Sequence, residues 1–479
     1  MFGISIDNKI MKEVSQLESH SVHPYMPNSV EDVRKEMLEA IGEESIEAVY
    51  HGIIPNELRF QGKLKLPYPI RSEKELKQHV SSLLNRNSSC EDYINFLGAG
   101  CYQRYVPAIC DEIAGRAEFL TAYCGDTYSD HGKMQAIFEY ASMMAELLDT
   151  DVVSYTLYDA GQAVSSAMRM ALRIKKKRYR ILIPSTMNPE LYSQAKAYCW
   201  GFGELIKVDA KNGLMDMDDY RSKITDETAA VFIENPTFLG SFEVNAQEII
   251  RIAHEHEALA VVMPSLTALG LVEAPANYGA DITCGDIQEL GIHMNYGGGC
   301  GGFIASSMED EIVGQYPTYL YGIAKTADEG RYGWGRALNY RCSHESRENA
   351  NEYFGTEAGL WAIMAGVYLA VMGPQGMRDP ARLIISRAAY AEQQLKKISQ
   401  LDVNPWGNQY FQEFIIDFNR TGMSVAEINR RLRNEGIFGG KDLSDWFPEY
   451  GQCALYCFGE MTDAADIDKL CHALNVILE

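Results

Sequence analysis

The chain has 479 residues and a formal net charge of −23, with 46% hydrophobic and 23% charged residues, as expected of a folded protein. This negative charge disfavours nucleic acid and anionic membranes as partners, because their phosphate groups would repel the chain. There is no apolar run of about 18 residues and no secretory signal pattern, so we expect a cytoplasmic protein without a membrane span. The eleven cysteines are scattered without CxxC pairs, which favours reduced thiols and predicts no metal site.

Residues 1–95 are predicted to form a helical N-terminal arm. The segment Asn28-Ser29-Val30-Glu31 has a polar residue followed three positions later by an acid, which is the pattern of a helix capping box. Residues 93–100 close the arm and lead into a large domain, which we predict to span residues 96–372.

A polar cluster precedes a strongly periodic helix in the large domain. Tyr123, Tyr128 and His131 fall within nine residues and predict a hydrogen-bonding pocket. A solvated loop would have the same composition, so both interpretations stay open. Downstream, apolar residues recur at spacings of three and four, which predicts a helix with one buried face. These residues are Ile137, Tyr140, Ala141, Met144, Leu147 and Leu148.

Short apolar runs alternate with helix-length segments in the centre of the chain. The runs lie at residues 152–155, 180–183, 229–233, 259–263 and 280–283. Continuous apolar strands of this length indicate βαβ units, so we predict an α/β domain with a mostly parallel central sheet. Ligands of such sheets bind beyond the carboxyl ends of the strands, which makes the strand-end turns the candidate site.

Several of these turns carry residues suited to a ligand site. Gly161 and Gln162 open a helix directly after a strand, where free N–H groups can bind an anion. Asn235 follows a second strand, and Asp286 and His293 follow a third, just before the glycine-rich run at 296–302. Ordinary βα turns would show the same pattern, and this alternative stays open.

Arg341, His344 and Arg347 recur every three residues. If this segment is helical, the three side chains share one face and can bind a carboxylate or a phosphate. The alternative is a solvated charged face without a ligand.

Residues 373–479 are predicted to form a smaller α+β domain. We expect a long helix at 379–401, strands at 411–418 and 454–458, and helices at 425–434 and from Ala464 onwards.

Over nearly its full length, the chain resembles subunit 1 of the two-subunit glycine decarboxylase, the P-protein of the glycine cleavage system. Many short matches in the same order carry this resemblance, and no single match is specific. They are Phe96-Leu97-Gly98-Ala99-Gly100, Thr121-Ala122-Tyr123, Gln135-Ala136-Ile137-Phe138-Glu139, Tyr158-Asp159 with Gly161, Ala268-Leu269-Gly270-Leu271, Tyr278-Gly279-Ala280-Asp281-Ile282, Gly285-Asp286, Gly373-Pro374 with Gly376, and Gly436-Ile437 with Gly439-Gly440.

The resemblance implies the fold-type-I architecture of pyridoxal phosphate (PLP) enzymes and an α2β2 assembly with a second kind of subunit. In that family, subunit 2 supplies the Schiff-base lysine and the aspartate that faces the pyridine nitrogen. The present chain fits the other half of this division, because residues 224–324 contain no lysine. Pro264-Ser265-Leu266 stands where the aspartate would be, and residues 286–290 stand where the lysine would be. We therefore expect the partner subunit to hold PLP covalently.

The resemblance also implies a reaction and roles for individual residues. The reaction is decarboxylation of glycine, with transfer of the aminomethyl group to a lipoyl carrier, the H-protein. The roles implied are catalytic for Tyr123, Tyr128 and His131, cofactor-binding for Gly161, Gln162, Asn235, Asp286 and His293, and substrate- or anion-binding for Arg341, His344 and Arg347.

Two segments depart from the family pattern. The family loop after Thr-Ala-Tyr runs Thr-Pro-Tyr-Gln-Pro-Glu-Ile-Ser-Gln-Gly, whereas residues 124–132 here are one residue shorter and differ in sequence. Residues 351–358 differ from the family's Thr-Ser-Asn-Ile-Cys-Ser-Asn-Gln. Both segments would face the reaction centre, so a PLP-dependent complex acting on a different amino acid is an alternative. A non-catalytic scaffold or regulatory homologue without PLP is another.

Overall fold

The computed structural model of the chain describes residues 22–23, 25–62, 64–67, 70, 72–120, 131–351 and 357–479, with the side chains of His131 and His344 left out. The chain divides into two compact units, residues 1–87 and residues 88–479. The predicted domain boundaries at 95 and 372 stay predictions.

Three helices form the described part of the N-terminal unit: α1 (Glu31–Ile41), α2 (Ile46–Ile53) and α3 (Glu73–Leu84). The hydroxyl of Ser45 caps α2 by accepting from the Ala48 N–H, and that of Ser72 caps α3 by accepting from the Glu75 N–H. The capping box expected at residues 28–31 is wrong, because Val30 occupies the N-cap of α1 and no side chain caps this helix. No residue of these three helices is buried.

A seven-stranded mixed sheet is the centre of the second unit. Its strands are β2 (Val152–Val153), β3 (Arg180–Pro184), β4 (Glu204–Val208), β7 (Thr228–Asn235), β8 (Leu259–Pro264), β9 (Ile282–Asp286) and β10 (Gly302–Ser306). They lie in the order β2-β10-β9-β8-β7-β3-β4. The five strands from β9 to β4 are parallel, and β10 runs antiparallel to both β9 and β2. The predicted mostly parallel sheet is therefore confirmed.

Helices cover both faces of this sheet. They are α5 (His131–Leu148), α6 (Ala160–Ile174), α7 (Pro189–Cys199), α8 (Met217–Lys223) and α9 (Ala246–Glu255), with a short α4 (Ala108–Ala114) before them. Alternate residues of a strand point to opposite faces, so Ile181 packs in the core with α6, whereas Leu182 packs in the core with α9. Apolar residues on both faces explain why the strands read as continuous apolar runs.

Smaller elements complete the connections around the sheet. They are the hairpin of β5 (Ala210–Lys211) and β6 (Leu214–Met215), the hairpin of β11 (Leu320–Lys325) and β12 (Tyr332–Ala337), and the short helices α10 (Asp310–Val313) and α11 (Ser343–Ser346).

One long helix, α12 (Gly359–Leu395), links the two cores of the second unit. Gly373 has φ 60° and interrupts the helix just before Pro374, so the helix bends there. Its first half packs beside α5, and Ala388 and Leu395 in its second half pack in the C-terminal core. By length and composition, α12 is the single described helix that could cross a membrane, but its many buried side chains make this weak evidence for a span.

The C-terminal part is an α+β layer, as predicted. Its sheet has the order β13-β14-β17-β16 and two helices pack against it. The strands are β13 (Asp402–Val403), β14 (Glu413–Asp417), β16 (Lys441–Asp442) and β17 (Cys453–Cys457), and the helices are α13 (Val425–Asn434) and α14 (Ala464–Leu478). A separate pairing of β1 (Ile94–Asn95) with β15 (Ile437–Phe438) ties residues near the start of this unit to its C-terminal layer.

Candidate functional site

A crevice opens where the carboxyl ends of β7, β8 and β9 meet, as expected for an open α/β sheet. Its volume is about 70 Å³. Polar and acidic side chains dominate its wall, and no lysine is among the described residues that line it. The lining residues are Gly100, Tyr102, Asn188, Glu234, Pro236, Thr237, Phe238, Gly240, Met263, Pro264, Ser265, Asp286, Gln288, Glu289, Gln412 and Glu413.

The first turn of α6 borders this crevice, and protein carboxylates already use its N–H groups. The Asp159 carboxylate caps the helix by accepting from the Gln162 N–H at 2.7 Å. Asp286, at the end of β9, accepts from the Ala160 N–H and, at 2.6 Å, from the Gln288 N–H. Since a helix N-terminus attracts negative charge, these two carboxylates occupy the position that an anionic ligand would otherwise take.

Gly161 and Gln162 serve the local structure of this turn. A side chain at position 161 would clash with the Gln194 side chain of α7, so the glycine allows α6 and α7 to approach closely. The Gln162 Oε1 atom turns back and accepts from the Tyr158 N–H at 2.7 Å. Both residues therefore lie at the predicted turn, but their close contacts are with other residues of the chain, Gln194 and Tyr158.

Burial perturbs the acids of the crevice. It raises the pKa of Glu234 to about 8, although the carboxylate accepts from the Asn188 N–H at 3.3 Å. It likewise raises the pKa of Glu413 to about 7, against hydrogen bonds from the Ala99 N–H at 2.7 Å and the Tyr102 hydroxyl at 3.0 Å. Burial also raises the pKa of Asp286 well above its ordinary value. Desolvation of the charged carboxylate is the common cause.

Glu289, in contrast, has a buried cationic partner. The Arg104 guanidinium donates to Glu289 at 3.1 Å and to Gln412 Oε1 at 2.6 Å. Ser265, directly after β8, donates its hydroxyl to the same Glu289 carboxylate at 3.0 Å. By the family resemblance, the end of β8 is where an aspartate would face the pyridine nitrogen. This chain has Ser265 there, hydrogen-bonded to the buried ion pair of Glu289 and Arg104.

Gln288 fixes the segment where the resemblance would place a cofactor lysine. Its Oε1 atom accepts from the Tyr102 N–H at 3.1 Å. Its amide nitrogen donates to the carbonyl oxygens of Tyr102 at 2.8 Å and Ile292 at 3.0 Å. One amide side chain therefore joins the end of β9 to the segment around Tyr102.

Comparison with known proteins decides the family. The family described as glycine cleavage system P-protein matches residues 23–474 of the chain. The chain belongs to this family. Relatives named "Probable glycine dehydrogenase (decarboxylating) subunit 1" include one from Staphylothermus marinus, 36% identical over 95% of this chain and 98% of the relative. Another, from Sulfolobus acidocaldarius, is 34% identical over 95% of this chain and 100% of the relative.

Solved structures agree with this assignment. The crystal structure of glycine decarboxylase (P-protein) of the glycine cleavage system, in inhibitor-bound form, is similar with a TM-score of 0.84 and 28% identity, covering 95% of this chain and 100% of that chain. A sphingosine-1-phosphate lyase from Burkholderia pseudomallei has a TM-score of 0.62 and 16% identity over 88% of this chain and 94% of its own, which shows the fold alone. The predicted family and the predicted fold-type-I PLP-enzyme architecture are both confirmed.

The crevice of this P-protein family member does not fit PLP. A ligand pocket of drug-like size usually has a volume of roughly 300 Å³ or more, whereas this one has about 70 Å³. Asp286 and Asp159 take up the N–H groups at the start of α6, and Glu234 and Glu413 add buried acids instead of a cation. No lysine is available between residues 224 and 324.

The two lysines nearest to the motifs of the sequence do not change this conclusion. Lys133 is buried in the first turn of α5, and Lys325 is exposed at the end of β11. Neither of them lines the crevice.

Of the predicted cofactor set, Asn235 and His293 serve other contacts. Asn235 ends β7 and accepts from the Glu243 N–H at 3.1 Å through its side-chain oxygen. His293 lies 2.9 Å from the exposed Asp111 carboxylate and does not line the crevice. The set is therefore not brought together around one ligand position, although Asp286 lies in the crevice and Gly161 lies beside it.

The predicted catalytic residues lie largely outside the described residues. Tyr123 and Tyr128 fall in the undescribed segment 121–130. His131 begins α5, and its side chain is not described. Their catalytic role stays a prediction.

Arg341, His344 and Arg347 do not lie on one helix, so the condition for a shared helical face is not met. Arg341 ends a short 3₁₀ turn, His344 lies in α11, and Arg347 breaks the helix with φ 49°. The buried Arg341 guanidinium donates to the carbonyl oxygens of Tyr316 at 2.8 Å and Thr318 at 3.1 Å. Its Nε and Nη2 atoms have no partner among the described residues, so its predicted anion role stays a prediction.

Four residues were missed from the sequence: Glu234, Glu289 and Glu413, which line the crevice, and Arg104, which pairs with Glu289. Glu234 directly precedes Asn235 at a strand end, so the strand-end rule gave a signal for it. Arg104 and Glu413 come from segments about 300 positions apart, and no local pattern joins them. Tertiary packing alone assembles this part of the site.

Proposed function

We propose that this chain is the subunit without a cofactor lysine in a two-subunit, PLP-dependent glycine decarboxylase-like enzyme. The reaction would be decarboxylation of glycine with transfer of the aminomethyl group to a lipoyl carrier protein. A lysine-bearing subunit 2-like partner would hold PLP covalently, in an expected α2β2 assembly. The observation that carries this proposal is the crevice at the carboxyl ends of the parallel strands, which is lined by the chain's own carboxyl groups and by no described lysine.

The names of the relatives support a partner subunit. They are called subunit 1, and the chain matches them over almost their whole length. A protein of this family without a usable lysine needs another chain to supply the Schiff base. The function of this chain would then be to complete the partner's site with side chains and to exclude water from it.

The N-terminal unit supplies a second argument for a partner. Its described residues expose large apolar side chains, including those of Tyr25, Ile53, Leu58, Phe60 and Leu66. Isolated proteins seldom expose apolar patches larger than a few hundred Å². An obligate partner chain would remove such side chains from water.

The predicted catalytic and anion-binding residues would act in the shared site. Tyr123, Tyr128 and His131 would face the partner's cofactor, and Arg341, His344 and Arg347 would orient the carboxylate of the substrate. This part of the proposal rests on the resemblance in sequence. It predicts that a complex of the two subunits brings these side chains to the partner's PLP.

The absorbance of PLP tests the proposal. The chain is purified alone and again after co-expression with a subunit 2-like protein, and both samples are treated with borohydride before mass spectrometry. We expect a PLP band in the complex alone, with the reduced adduct on the partner. An adduct on this chain, or a complex that forms without PLP, would overturn the proposal.

Two other functions keep specific support. The altered residues 124–132 and 351–358 favour a complex that acts on a different amino acid. The small crevice lined by acids is equally expected of a non-catalytic scaffold. Screening amino acids by their effect on the PLP band would identify a complex that acts on an amino acid other than glycine. A stable assembly of this chain without any partner would identify a scaffold.

A further inference from the structure

Two cysteines meet beside the crevice although 199 positions separate them in the chain. The Cys101 thiol donates to the carbonyl oxygen of Met294 at 3.5 Å. The Cys300 thiol reaches the same oxygen at 3.7 Å. The two thiols are also hydrogen-bonded to each other. A shared acceptor and a direct contact place both sulfur atoms in one small space.

We infer that Cys101 and Cys300 form an oxidisable dithiol, which a peroxide converts into a disulfide. This modification site is independent of the proposed function. Cys101 is partly exposed and lies in the segment that carries Tyr102 of the crevice wall, so a small oxidant can reach it. Cys300 is buried and lies in the glycine-rich run, between Gly299 and Gly301.

The two thiols differ in their pKa shifts and therefore in their roles in the reaction. The hydrogen bond from Cys300 lowers the pKa of Cys101, whereas the same contact and burial raise the pKa of Cys300. The thiolate is the reacting form of cysteine, so Cys101 is the attacking sulfur and Cys300 the resolving one. Asp286 faces this pair, and Cys90 is a third nearby thiol.

The chemistry balances with hydrogen peroxide as the oxidant. The Cys101 thiolate attacks one peroxide oxygen, the O–O bond breaks, and the released hydroxide takes up a proton as water. The resulting sulfenic acid is attacked by the Cys300 sulfur, the S–S bond forms, and the S–O bond breaks. The hydroxide leaves with the thiol proton as a second water, so the two sulfurs lose two electrons and peroxide gains them.

The backbone around Cys300 is suited to the small movement that bond formation requires. A disulfide brings its sulfur atoms to about 2.05 Å. Gly299 and Gly301 have φ 64° and 82°, which glycine adopts without strain. Chain neighbours aside, no described atom lies within 4 Å of a Cβ placed on Gly297, Gly298 or Gly299, so side-chain space is open there. The Gly299 carbonyl oxygen accepts from Trp361 Nε1 at 2.7 Å.

Peptide mapping of the oxidised full-length chain tests this inference. The reduced chain is treated with hydrogen peroxide, its remaining thiols are alkylated, and the digest is analysed without reduction. We expect one crosslinked pair, Cys101 with Cys300, lighter by two hydrogens than the two peptides and reversed by dithiothreitol. A Cys90–Cys101 or Cys101–Cys124 link would overturn the inference, as would over-oxidation of Cys101 without any link.

Matched variants separate the two sulfur roles. With Cys300→Ser, the Cys101 sulfenic acid has no resolving thiol, so labelling of Cys101 by dimedone should increase several-fold. With Cys101→Ser, both the crosslink and the dimedone label should disappear. Cys471→Ser on α14 serves as the control and should leave the crosslink unchanged. Equal peroxide reactivity of Cys101 in the wild type and in Cys300→Ser, with no crosslink in either, would contradict the pairing.

Discussion

The two units of the chain differ in how they use apolar residues. In residues 88–479 the inner strands of the central sheet, from β3 to β10, are largely buried, whereas no residue of α1, α2 or α3 is buried. Their charge differs as well. Residues 1–87 contain thirteen acidic and eleven basic residues, which leaves the other 53 acids and 32 bases in residues 88–479.

This difference teaches that the stability of the free chain comes from the second unit. Burial of apolar surface is the dominant favourable contribution to folding, and the N-terminal helices contribute little of it. A nearly neutral segment with exposed apolar side chains can approach another protein at low electrostatic cost. The N-terminal unit is thus the part of this acidic chain best suited to contact the proposed partner.

The largest expected effect concerns the buried sheet. Phe232 lies in the middle of β7 and is completely buried, so Phe232→Ala should cost about 3–5 kcal/mol of unfolding free energy by leaving a cavity. Phe60→Ala in the N-terminal unit should change it by less than about 0.5 kcal/mol, because Phe60 is exposed. Urea unfolding of the chain without a partner measures both. Equal losses would remove the distinction between the units.

The buried ion pair beside the crevice should be nearly as important. Arg104→Met leaves the Glu289 carboxylate without its cation in a buried position, at a cost of about 3–5 kcal/mol. Arg251→Met, which removes an exposed partner of Glu248, is the matched control and should have little effect. Thermal unfolding of both variants gives the comparison. A stability of Arg104→Met close to that of the wild type would show that Glu289 does not need this arginine.

The buried acids predict an unusual dependence on pH. The pKa of Glu234 rises from its ordinary 4.5 to about 8 in the folded chain. The unfolded chain therefore loses this proton first, and the stabilising contribution present below pH 4.5 declines as pH rises towards 8. Glu234→Gln removes this dependence on pH. Between pH 4.5 and 8, its unfolding free energy should rise relative to that of the wild type by on the order of a few kcal/mol.

The control for this pH profile is an exposed acid with the opposite shift. Hydrogen bonds from Arg251 lower the pKa of Glu248 to about 2. The unfolding free energy of Glu248→Gln should therefore not rise relative to that of the wild type as the pH increases. Unfolding by urea at several pH values provides the data. Parallel profiles of Glu234→Gln and the wild type would show that Glu234 is ionised in the folded chain.

The smallest expected effect is confined to α3. Ser72→Ala removes the hydrogen bond to the Glu75 N–H and should destabilise this helix by about 1 kcal/mol. Hydrogen exchange should become faster in α3 and stay unchanged in the central sheet, because the described helices of the N-terminal unit have no buried residues that would spread the loss. A simultaneous increase of exchange in β7 would show that the two units unfold together.

The sequence predicted the elements whose pattern is local. The helix at 425–434 and the helix that begins at Ala464 have the predicted bounds, and the apolar runs at β3, β7 and β8 became strands. The capping box failed because a preceding 3₁₀ turn puts Val30 at the N-cap of α1. Arg341 and Arg347 do not share a helical face, because the backbone leaves the helical conformation at Arg347.

The candidate site was less predictable for a physical reason. The strand-end rule located Asp286 and the start of α6, because both depend on sheet topology that the apolar pattern reveals. The identity of the groups that fill the crevice depends on contacts between distant segments, such as Arg104 with Gln412. Spacing along one sequence carries no information on such contacts.

The three hydrogen bonds of Gln288 have a consequence for evolution. A lysine at this position has donors and no acceptor, so it would leave the Tyr102 N–H without the Oε1 atom that now binds it. Asp286 would still occupy the helix end that an anionic cofactor needs. A single reverting mutation would therefore yield a strained intermediate and no functional cofactor site. Under the proposed function, the loss of the lysine would therefore be hard to reverse, and selection would preserve the genes of both subunits together.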